Sequence, residues 1–292
     1  MQFSPTPPVT TGGLATSTKA RWLNELIAAW GFAQRNYYLT KRYFWWELVW
    51  LVYTIANAMS IGFIGAAVEQ TGGSFEGGGR ATTYLLIGAL LWSYLSMLFD
   101  ILAETVAWER WEGTIEYSFM APASRATHLI GTSVFAIVYG ILRSIVILGV
   151  IALFFDLDLS NANFFGALLV LATCSISLIG FGMVAAVMPL LSPEKGQQVT
   201  FIFASVLLLI SGVYYPIDVL PGWMQNLAQF SPVYYALDGV RDTLLDGQGT
   251  STLGDELWPL LVMGAICVPL GIWIFQIGER FAKRTGRLKR SG

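Results

Sequence analysis

ATTYLLIGALLWSYLSMLFDILAETVAWERWEGTIEYSFMAP, residues 81–122, decides the fold of this chain. Its first 27 residues contain only two charged side chains, whereas its last 15 contain three glutamates, an arginine and two tryptophans. A helix needs about 20 mostly apolar residues to cross the hydrocarbon core of a bilayer. The first part is therefore predicted to span a membrane, and the second part is predicted to lie at the membrane surface.

The composition of the whole chain also indicates a membrane protein. Of its 292 residues, 55% are hydrophobic and only 12% are charged, whereas soluble domains contain roughly a quarter charged residues. The net charge of -2 lacks the basic excess of a nucleic-acid-binding protein. Cys174 and Cys267 lie in apolar runs, which favours buried side chains over a disulfide. His128 is the single histidine, which argues against a His-rich metal site.

Six apolar runs reach or approach the length of a membrane span. They lie at residues 43–68, 81–107, 126–155, 164–191, 199–217 and 257–278. Backbone amides within a bilayer must be paired inside the crossing segment, so six helices are the simplest arrangement. No alternating ten-residue pattern suggests a barrel. The predicted fold class is an all-α membrane protein with six transmembrane helices.

Lysine and arginine cluster before the first run and after the last run. Because these residues favour the cytoplasmic side, both termini are predicted to be cytoplasmic, with the chain in the inner (plasma) membrane. We expect a disordered tail at residues 1–20 and an amphipathic interfacial helix at 21–42. A six-helix transmembrane domain at 43–280 and a basic tail at 281–292 follow.

The predicted interfacial helix has an aromatic stripe. Trp22, Leu26, Trp30, Ala33 and Tyr37 recur at spacings of three and four residues, which places them on one face of a helix. Such a helix can lie in the cytoplasmic interface with this face in the lipid. A cytosolic helix packed on a partner is the alternative.

The segment between the fifth and sixth runs is too apolar for a solvated loop and too interrupted for a span. Its prolines and its interfacial tryptophan are Pro216, Pro221, Pro232 and Trp223. Pro221 and Pro232 suit the first turns of two short helices, with Ser231 as a cap of the second. We predict a re-entrant region in which two short helices dip into the outer leaflet. An ordinary extracellular loop is the alternative.

Residues 108–122 are predicted to form a short cytoplasmic helix. By helical spacing, the acidic face contains Glu109, Glu112 and Glu116, and the apolar stripe contains Trp108, Trp111, Ile115 and Phe119. Gly113 should let this helix bend away from the preceding span, and Pro122 should end it. Such a helix can dock on a partner. A solvated turn that its tryptophans anchor to lipid is the alternative.

Three charged residues within the predicted spans are functional candidates. Asp100 and Glu104 lie four residues apart toward the cytoplasmic end of the second span, and Arg143 lies near the middle of the third. Because an arginine side chain can snorkel, Arg143 could reach Asp100 on an antiparallel neighbour. A structural ion pair and a role in substrate binding both stay open.

The order of these features resembles the ABC-2 type permeases, the membrane subunits of ABC exporters. ERWEGTIEYSFMAPASR, residues 109–125, is similar to the family's loop after the second span, where an acidic residue, Gly-Thr, an apolar residue and Glu precede a proline. The matching residues are Glu109 or Glu112, Gly113, Thr114, Ile115, Glu116 and Pro122. Residues 211–245 resemble the stretch before the family's last span, with an LP.W element and an SP element followed by tyrosines and Arg241.

The resemblance implies half of a transporter. In that family the helix after the second span is the coupling helix, which docks on an ATPase subunit, and the N-terminal amphipathic helix is a second contact. The chain contains no G-x-x-x-x-G-K-[ST] phosphate-binding sequence. It is therefore expected to be non-catalytic, with ATP and Mg²⁺ bound by a separate ATPase subunit.

The resemblance also implies a transport pathway at a dimer interface, along the second and fifth spans. The candidates here are Trp92, Tyr94, Met97, Phe201 and Phe203, although each of them also suits plain helix packing. The partner in this interface is expected to be a second copy of the chain or a paralogous permease. The expected substrate is an amphipathic drug, a lipid, or a glycolipid or polysaccharide. A channel or secondary transporter without an ATPase is the alternative function.

Overall fold

A computed structural model describes residues 18–72, 81–120, 123–155, 157 and 161–286, and every regular element in these ranges is helical. Most of the predicted disordered tail, Pro122, the Phe119 side chain and the end of the predicted basic tail lie outside this description. The helices are α1 (Thr18–Arg42), α2 (Phe44–Gln70), α3 (Ala81–Glu112), α4 (Ile115–Met120), α5 (Arg125–Phe154), α6 (Phe164–Ala185), α7 (Val187–Leu191), α8 (Pro193–Ile210), α9 (Gly222–Ala228), α10 (Pro232–Leu244) and α11 (Gly254–Arg284). Two 3₁₀ turns lie at Ile217–Val219 and Thr250–Thr252.

Five segments of the described chain are long and apolar enough to cross a membrane. They are α2, α3, α5, α6 together with α7, and α11. Each corresponds to a predicted span, with ends that differ by only a few residues. The prediction of an all-helical membrane protein is therefore confirmed.

The predicted fifth span, residues 199–217, is misplaced. α8 begins at Pro193 and ends at Ile210, and its apolar part, Lys195–Ile210, is shorter than the five long segments. The helix ends early because Gly212 follows with φ +67, a left-handed conformation that glycine adopts without strain and that a helix cannot continue through.

The helices define two ends of the bundle. At the first, here called the α1 end, α1 packs where α3 and α11 finish and where α5 begins, with Arg35 bound to Glu109. At the opposite end, here called the α10 end, the backbone N–H of Asn163 before α6 donates to the Thr243 carbonyl of α10 at 2.8 Å. α3 and α11 therefore run antiparallel to α5.

α3 lies at the centre of the bundle. Tyr94, Leu95, Leu98, Phe99 and Leu102 are each no more than 2% exposed. By contrast, α2 and α5 expose many large apolar side chains along their length. This pattern suits a central helix surrounded by helices that face lipid.

Small residues bring α6 and α11 into close contact. A Cβ atom at Gly271 would lie 2.5 Å from the Gly180 carbonyl oxygen, and a Cβ atom at Gly180 would overlap the backbone of Cys267. Close backbone approach at small residues is a common way for membrane helices to associate. α6 and α11 thus form a tightly packed pair, and α10 packs against both helices.

The two short helices predicted before the last span are present as α9 and α10. Pro232 is the first residue of α10, as predicted, whereas Pro221 directly precedes α9 instead of lying in its first turn. Ser231 holds the predicted cap position, but its side chain does not cap α10. Its Oγ atom instead forms a hydrogen bond of 2.8 Å with the hydroxyl of Ser211, which lies at the end of α8.

Candidate functional site

The stretch after the second span is divided between two helices. α3 continues through Glu112, and Gly113, at φ +74, separates it from α4. The predicted bend at Gly113 is confirmed. The prediction of one helix over residues 108–122 is wrong in extent, because the turn at Gly113 and Thr114 interrupts it. The predicted acidic and apolar faces therefore do not continue from α3 into α4.

Glu109 faces the protein interior. It is only 4% exposed, and its Oε1 atom lies 2.5 Å from Arg35 Nη1 on α1 and 3.2 Å from His128 Nε2 on α5. The His128 ring also packs on Phe32 of α1, with ring centroids 4.5 Å apart. A buried carboxylate needs partners of this kind, since an unpaired buried charge is costly. The prediction that Glu109 shares a solvent-facing edge is corrected: Glu109 joins α1, α3 and α5.

The other residues of this stretch form a surface that we call the exposed edge. Its members are Trp108, Trp111, Glu112, Glu116, Tyr117 and Met120. Ile115 is only 1% exposed and packs into a cluster with Leu102 and Val106, so the predicted apolar stripe is broken there. The two tryptophans, Tyr117 and Met120 are each more than half exposed. Large apolar side chains beside exposed carboxylates favour contact with a partner or with headgroups.

α1 has an exposed aromatic face and a face packed on the bundle. The predicted stripe residues Trp22, Leu26, Trp30 and Tyr37 are each more than half exposed. Ala33 is the exception, because it is buried. On the packed face, Glu25 accepts hydrogen bonds from the Thr127 hydroxyl and the Ser124 backbone N–H at the start of α5. These bonds and the Glu109 contacts hold α1 against α5 and α3.

The ion pair predicted between Arg143 and Asp100 is wrong. Arg143 Nη2 donates to the Trp50 carbonyl at 3.0 Å and to the Thr54 hydroxyl at 2.7 Å, both on α2. These acceptors on α2 satisfy the guanidinium without a carboxylate. Among the described residues, the ion pairs of the structure do not include Asp100.

The two acidic residues predicted inside the second span lie one helical turn apart on the same side of α3, but they differ in exposure. Asp100 is half-buried, whereas Glu104 is exposed and accepts a hydrogen bond of 3.1 Å from Trp108 Nε1. A third carboxylate, that of Glu47 at the start of α2, lies near Glu104 in space and accepts a hydrogen bond of 2.7 Å from Tyr139 on α5. Polar contacts of α5 with α2 thus occur at both Tyr139 and Arg143.

The five candidates for a transport pathway are in different environments. Tyr94 is buried, and its hydroxyl lies 2.7 Å from the Ser175 hydroxyl, so it joins α3 to α6. The other four reach the surface to some extent: Trp92 and Met97 are half-buried, and Phe201 and Phe203 are exposed on α8. Tyr94 is therefore a packing residue in this structure.

Arg241 fixes α10 to its surroundings at the α10 end. Its guanidinium carbon lies 3.6 Å from the ring centroid of Tyr84 on α3, and its Nη2 atom donates to the Val213 carbonyl at 2.9 Å. Pro216 precedes the first 3₁₀ turn, and Trp223 on α9 is 68% exposed. The residues predicted for the re-entrant region thus divide into an anchor, Arg241, and a surface tryptophan.

Acidic residues accumulate around α10. Burial, together with the charges of Glu256 and Asp238, raises the pKa of Asp242 to about 6. Burial is also the main cause that raises the pKa of Asp238, although Arg241 opposes it. Within the described part of the chain, no group of three or more His, Cys, Asp or Glu side chains could hold a metal ion.

Sequence reasoning missed four residues that position this surface. They are Arg35, His128, Arg125 and Glu279. Weak signals were present: Arg35 lies off the aromatic stripe of α1, and Glu279 is the single acid among the basic residues at the end of α11. Their partners lie far away in sequence, so spacing alone did not reveal them.

The sequence comparisons agree with this architecture. The sequence model of the ABC-2 type transporter family matches residues 27–245, well over half of the chain. The probable multidrug ABC transporter permease YbhR of Escherichia coli (strain K12) is 27% identical over 164 residues, which make up 55% of this chain and 43% of that protein. The linearmycin resistance permease protein LnrN of Bacillus subtilis (strain 168) is 29% identical over 99 residues, which make up 33% of this chain and 25% of that protein.

The chain therefore belongs to the ABC-2 type transporter family, and its long apolar helices make it a multi-pass membrane protein. The alignments cover less than half of the length of these two relatives.

Proposed function

We propose that this chain is the transmembrane permease subunit of an ATP-driven ABC exporter. A separate ATPase subunit binds ATP and Mg²⁺, and the chain itself is non-catalytic. The observation that most supports the proposal is the exposed edge, which lies beside α1 at one end of a bundle of membrane helices. In a member of the ABC-2 family, this is the position of the coupling helix.

In this proposal the α1 end is cytoplasmic. Its basic residues include Lys41, Arg42, Lys283 and Arg284, at the ends of α1 and α11. Aspartates of α10 lie at the opposite end, which the positive-inside rule permits because it depends on lysine and arginine. Both termini then face the cytoplasm, and α9 and α10 form the re-entrant region in the outer leaflet.

We propose that α8 is also a span, the fifth in chain order, which brings the number of crossings to six. It follows α7 after a single residue, Ser192, at the α1 end. Its other end lies near α10, because Ser211 bonds to Ser231 there. Its 18 residues have a length of about 27 Å as a helix, close to the thickness of the hydrocarbon core. A sixth crossing also places α11 so that both chain ends are on one side.

The exposed edge provides two kinds of contact for an ATPase subunit. Glu112 and Glu116 are complementary to basic side chains, which would set the orientation of docking. Trp111, Tyr117 and Met120 are suited to an apolar groove, where buried aromatic side chains contribute most of the binding energy. Because Glu109 joins α3 to α1, movement of the edge also moves the interfacial helix.

The names of the relatives favour an amphipathic drug among the candidate substrates, since one is called a multidrug permease and the other a linearmycin resistance permease. Phe201 and Phe203 of α8 are exposed aromatic groups, and half-buried Trp92 of α3 packs beside the same helix, whereas Met97 lies toward α5. Such exposed aromatic groups suit amphipathic molecules at an interface with a second copy or a paralogous permease.

Charge reversal of the exposed edge tests the proposal. The chain is co-expressed with a Walker-type ATPase subunit, and the affinity of the two proteins is measured in lipid nanodiscs. We expect Glu112→Lys with Glu116→Lys to weaken binding about tenfold or more, because two attractive contacts become repulsive. ATP-dependent transport of a fluorescent amphipathic dye into inverted vesicles should decrease together with the affinity for the ATPase.

Asp255→Lys is the matched control for Glu112→Lys and for Glu116→Lys. It makes the same change of charge at an exposed position at the start of α11, about 36 Å along the helix from Glu279. Binding of the ATPase should stay unchanged. The proposal is contradicted if the edge variant binds the ATPase as the wild type does. Dye movement without ATP and without any ATPase binding would instead support a channel or secondary transporter.

A further inference from the structure

Arg125, the first residue of α5, contacts two other helices at the α1 end. Its Nη1 atom donates to the Ser118 carbonyl of α4 at 3.1 Å, and its Nε atom donates to Glu279 Oε1 of α11 at 3.0 Å. The Glu279 side chain is only 9% exposed and also receives a contact of 2.7 Å from Lys283. One guanidinium therefore bridges α4, α5 and α11. Its planar set of donors can serve two acceptors in fixed directions at once.

α4 is not a rigid continuation of α3. Gly113, in a left-handed conformation, and Thr114 form a turn that separates α3 from α4. The two ends of α4 are held in different ways: Ile115 is inserted into the apolar core, and the Ser118 carbonyl is bound by Arg125. A displacement of α4 can therefore bend the chain at Gly113, while the Arg125 contact transmits it to other helices.

α11 is part of a closely packed group. It meets α6 backbone to backbone at Gly180 and Gly271. At the α10 end, a Cβ atom at Gly239 of α10 would lie 3.0 Å from Val170 of α6 and 3.4 Å from Glu256 of α11. Well-packed interiors transmit displacement because they have little free space to absorb it. A movement applied at Glu279 should thus reach α10.

We propose that Arg125 is a positioning residue that couples movement of α4 to α11, and through α11 to α6 and α10. This inference rests on the proposed function, in which the ATPase moves α4. In this proposal, movement of α4 reaches α11 through the polar contact of Arg125 with Glu279, in addition to the movement that the chain itself carries from α4 into α3. Arg125 donates to the Ser118 carbonyl and to Glu279, neither of which belongs to the exposed edge, so replacing Arg125 removes no side chain of the docking surface.

The first test measures ATP hydrolysis by the complex with the co-expressed ATPase in nanodiscs, relative to the ATPase alone. We expect Arg125→Gln to lower the permease-stimulated rate of ATP hydrolysis about five- to tenfold, which is a typical size for coupling between two sites. Affinity for the ATPase should stay within about twofold of the wild type. Lys283→Gln is the control, because it also removes a cationic contact of Glu279 but not the contact with α4.

The second test measures movement at the α10 end by pulsed electron resonance. Spin labels are placed at Gln70→Cys on α2 and Asp255→Cys on α11, both exposed, in a chain without the native cysteines. ATP should change the distance between the labels in the wild-type complex and leave it unchanged in Arg125→Gln. A residue needed only for stability would not abolish this change in a folded complex. Arg125→Lys keeps the charge next to Glu279 and serves as the second variant if Arg125→Gln does not fold.

The outcomes separate the two proposals. If the wild-type chain neither binds nor stimulates the ATPase, the proposed function is wrong, and the role of Arg125 is excluded with it. If the wild type shows stimulation and movement that Arg125→Gln and Arg125→Lys both retain, the role of Arg125 alone is wrong. Loss of stimulation in Lys283→Gln to the same extent would also overturn it, because that variant keeps the bridge to α4.

Discussion

Glu109 is the residue at which α1, α3 and α5 meet. Its charge is balanced by Arg35, which reaches it from α1, and the His128 ring of α5 lies next to it. Removing one partner of such a pair leaves a buried charge, so residues of this kind act as structural connections. The two glutamates nearest to it in the same stretch, Glu112 and Glu116, are exposed. Three acidic residues with one sequence pattern thus lie in two different environments.

Gly131 is a position at which α1 packs closely on α5. A Cβ atom there would overlap the Ala29 carbonyl oxygen and lie 2.9 Å from Phe32 Cβ. We predict that Gly131→Ala destabilises the protein by about 1–3 kcal/mol, as overpacking does. Thermal unfolding in detergent measures the effect, and hydrogen exchange of α1 should increase in parallel.

Gly149→Ala, in the same helix, is the control for this substitution. A Cβ atom at Gly149 would meet no atom within 4 Å. Alanine is also the better helix former, so the melting temperature should stay the same or rise slightly. Equal melting temperatures of Gly131→Ala and the wild type would show that α1 does not pack on α5 as the structure has it.

At the scale of elements, α2 and α5 are joined by polar contacts inside the membrane. Arg143 of α5 binds a carbonyl and a hydroxyl of α2 instead of Asp100 of α3. A charged group in a bilayer takes whichever acceptors lie next to it, and α2 supplies them here. This arrangement gives Arg143 a structural role in the helix pair.

Double-mutant cycles distinguish the two possible partners of Arg143. The free energy of unfolding, measured by SDS titration in mixed micelles, should show a coupling of about 1 kcal/mol between Arg143→Gln and Thr54→Val. Arg143→Gln and Asp100→Asn should combine additively, within about 0.5 kcal/mol. A strong coupling in the second cycle, with none in the first, would restore the ion pair that the sequence suggested.

At the scale of the whole molecule, the two ends of the bundle have different chemistry. The α1 end contains α1, the exposed edge and the basic end of α11, whereas the α10 end contains the aspartates around α10. This polarity is what supports the proposed orientation, with the α1 end in the cytoplasm. The number of crossings decides whether all these parts lie on the predicted sides.

Cysteine accessibility measures the topology. Single cysteines at exposed positions are labelled in intact cells with a reagent that does not cross the membrane, in a chain without the native cysteines. If α8 crosses the membrane, so that there are six crossings, Asn226→Cys on α9 and Asp255→Cys on α11 should be labelled from outside. Lys195→Cys at the start of α8 should be labelled only after permeabilisation. Labelling of Lys195→Cys and Asn226→Cys from the same side would contradict six crossings.

Most of the helices could be predicted from the sequence, because apolar runs of about 20 residues have few alternatives in a bilayer. The prolines at the starts of α9 and α10 and the glycine between α3 and α4 also marked real boundaries. The fifth span was misplaced, since hydropathy continues past Gly212 although the helix stops there.

The sequence by itself determined the class of protein, the five long membrane helices and the stretch that bears the exposed edge. Local patterns suffice for these features, because hydropathy, helical spacing and turn residues act over a few positions. Only the tertiary structure decided which side chains of that stretch are free to meet a partner. Glu109 is separated by 74 positions in sequence from Arg35, and Arg125 by 154 from Glu279. Contacts over such separations arise from helix packing and leave no periodic signal in the chain.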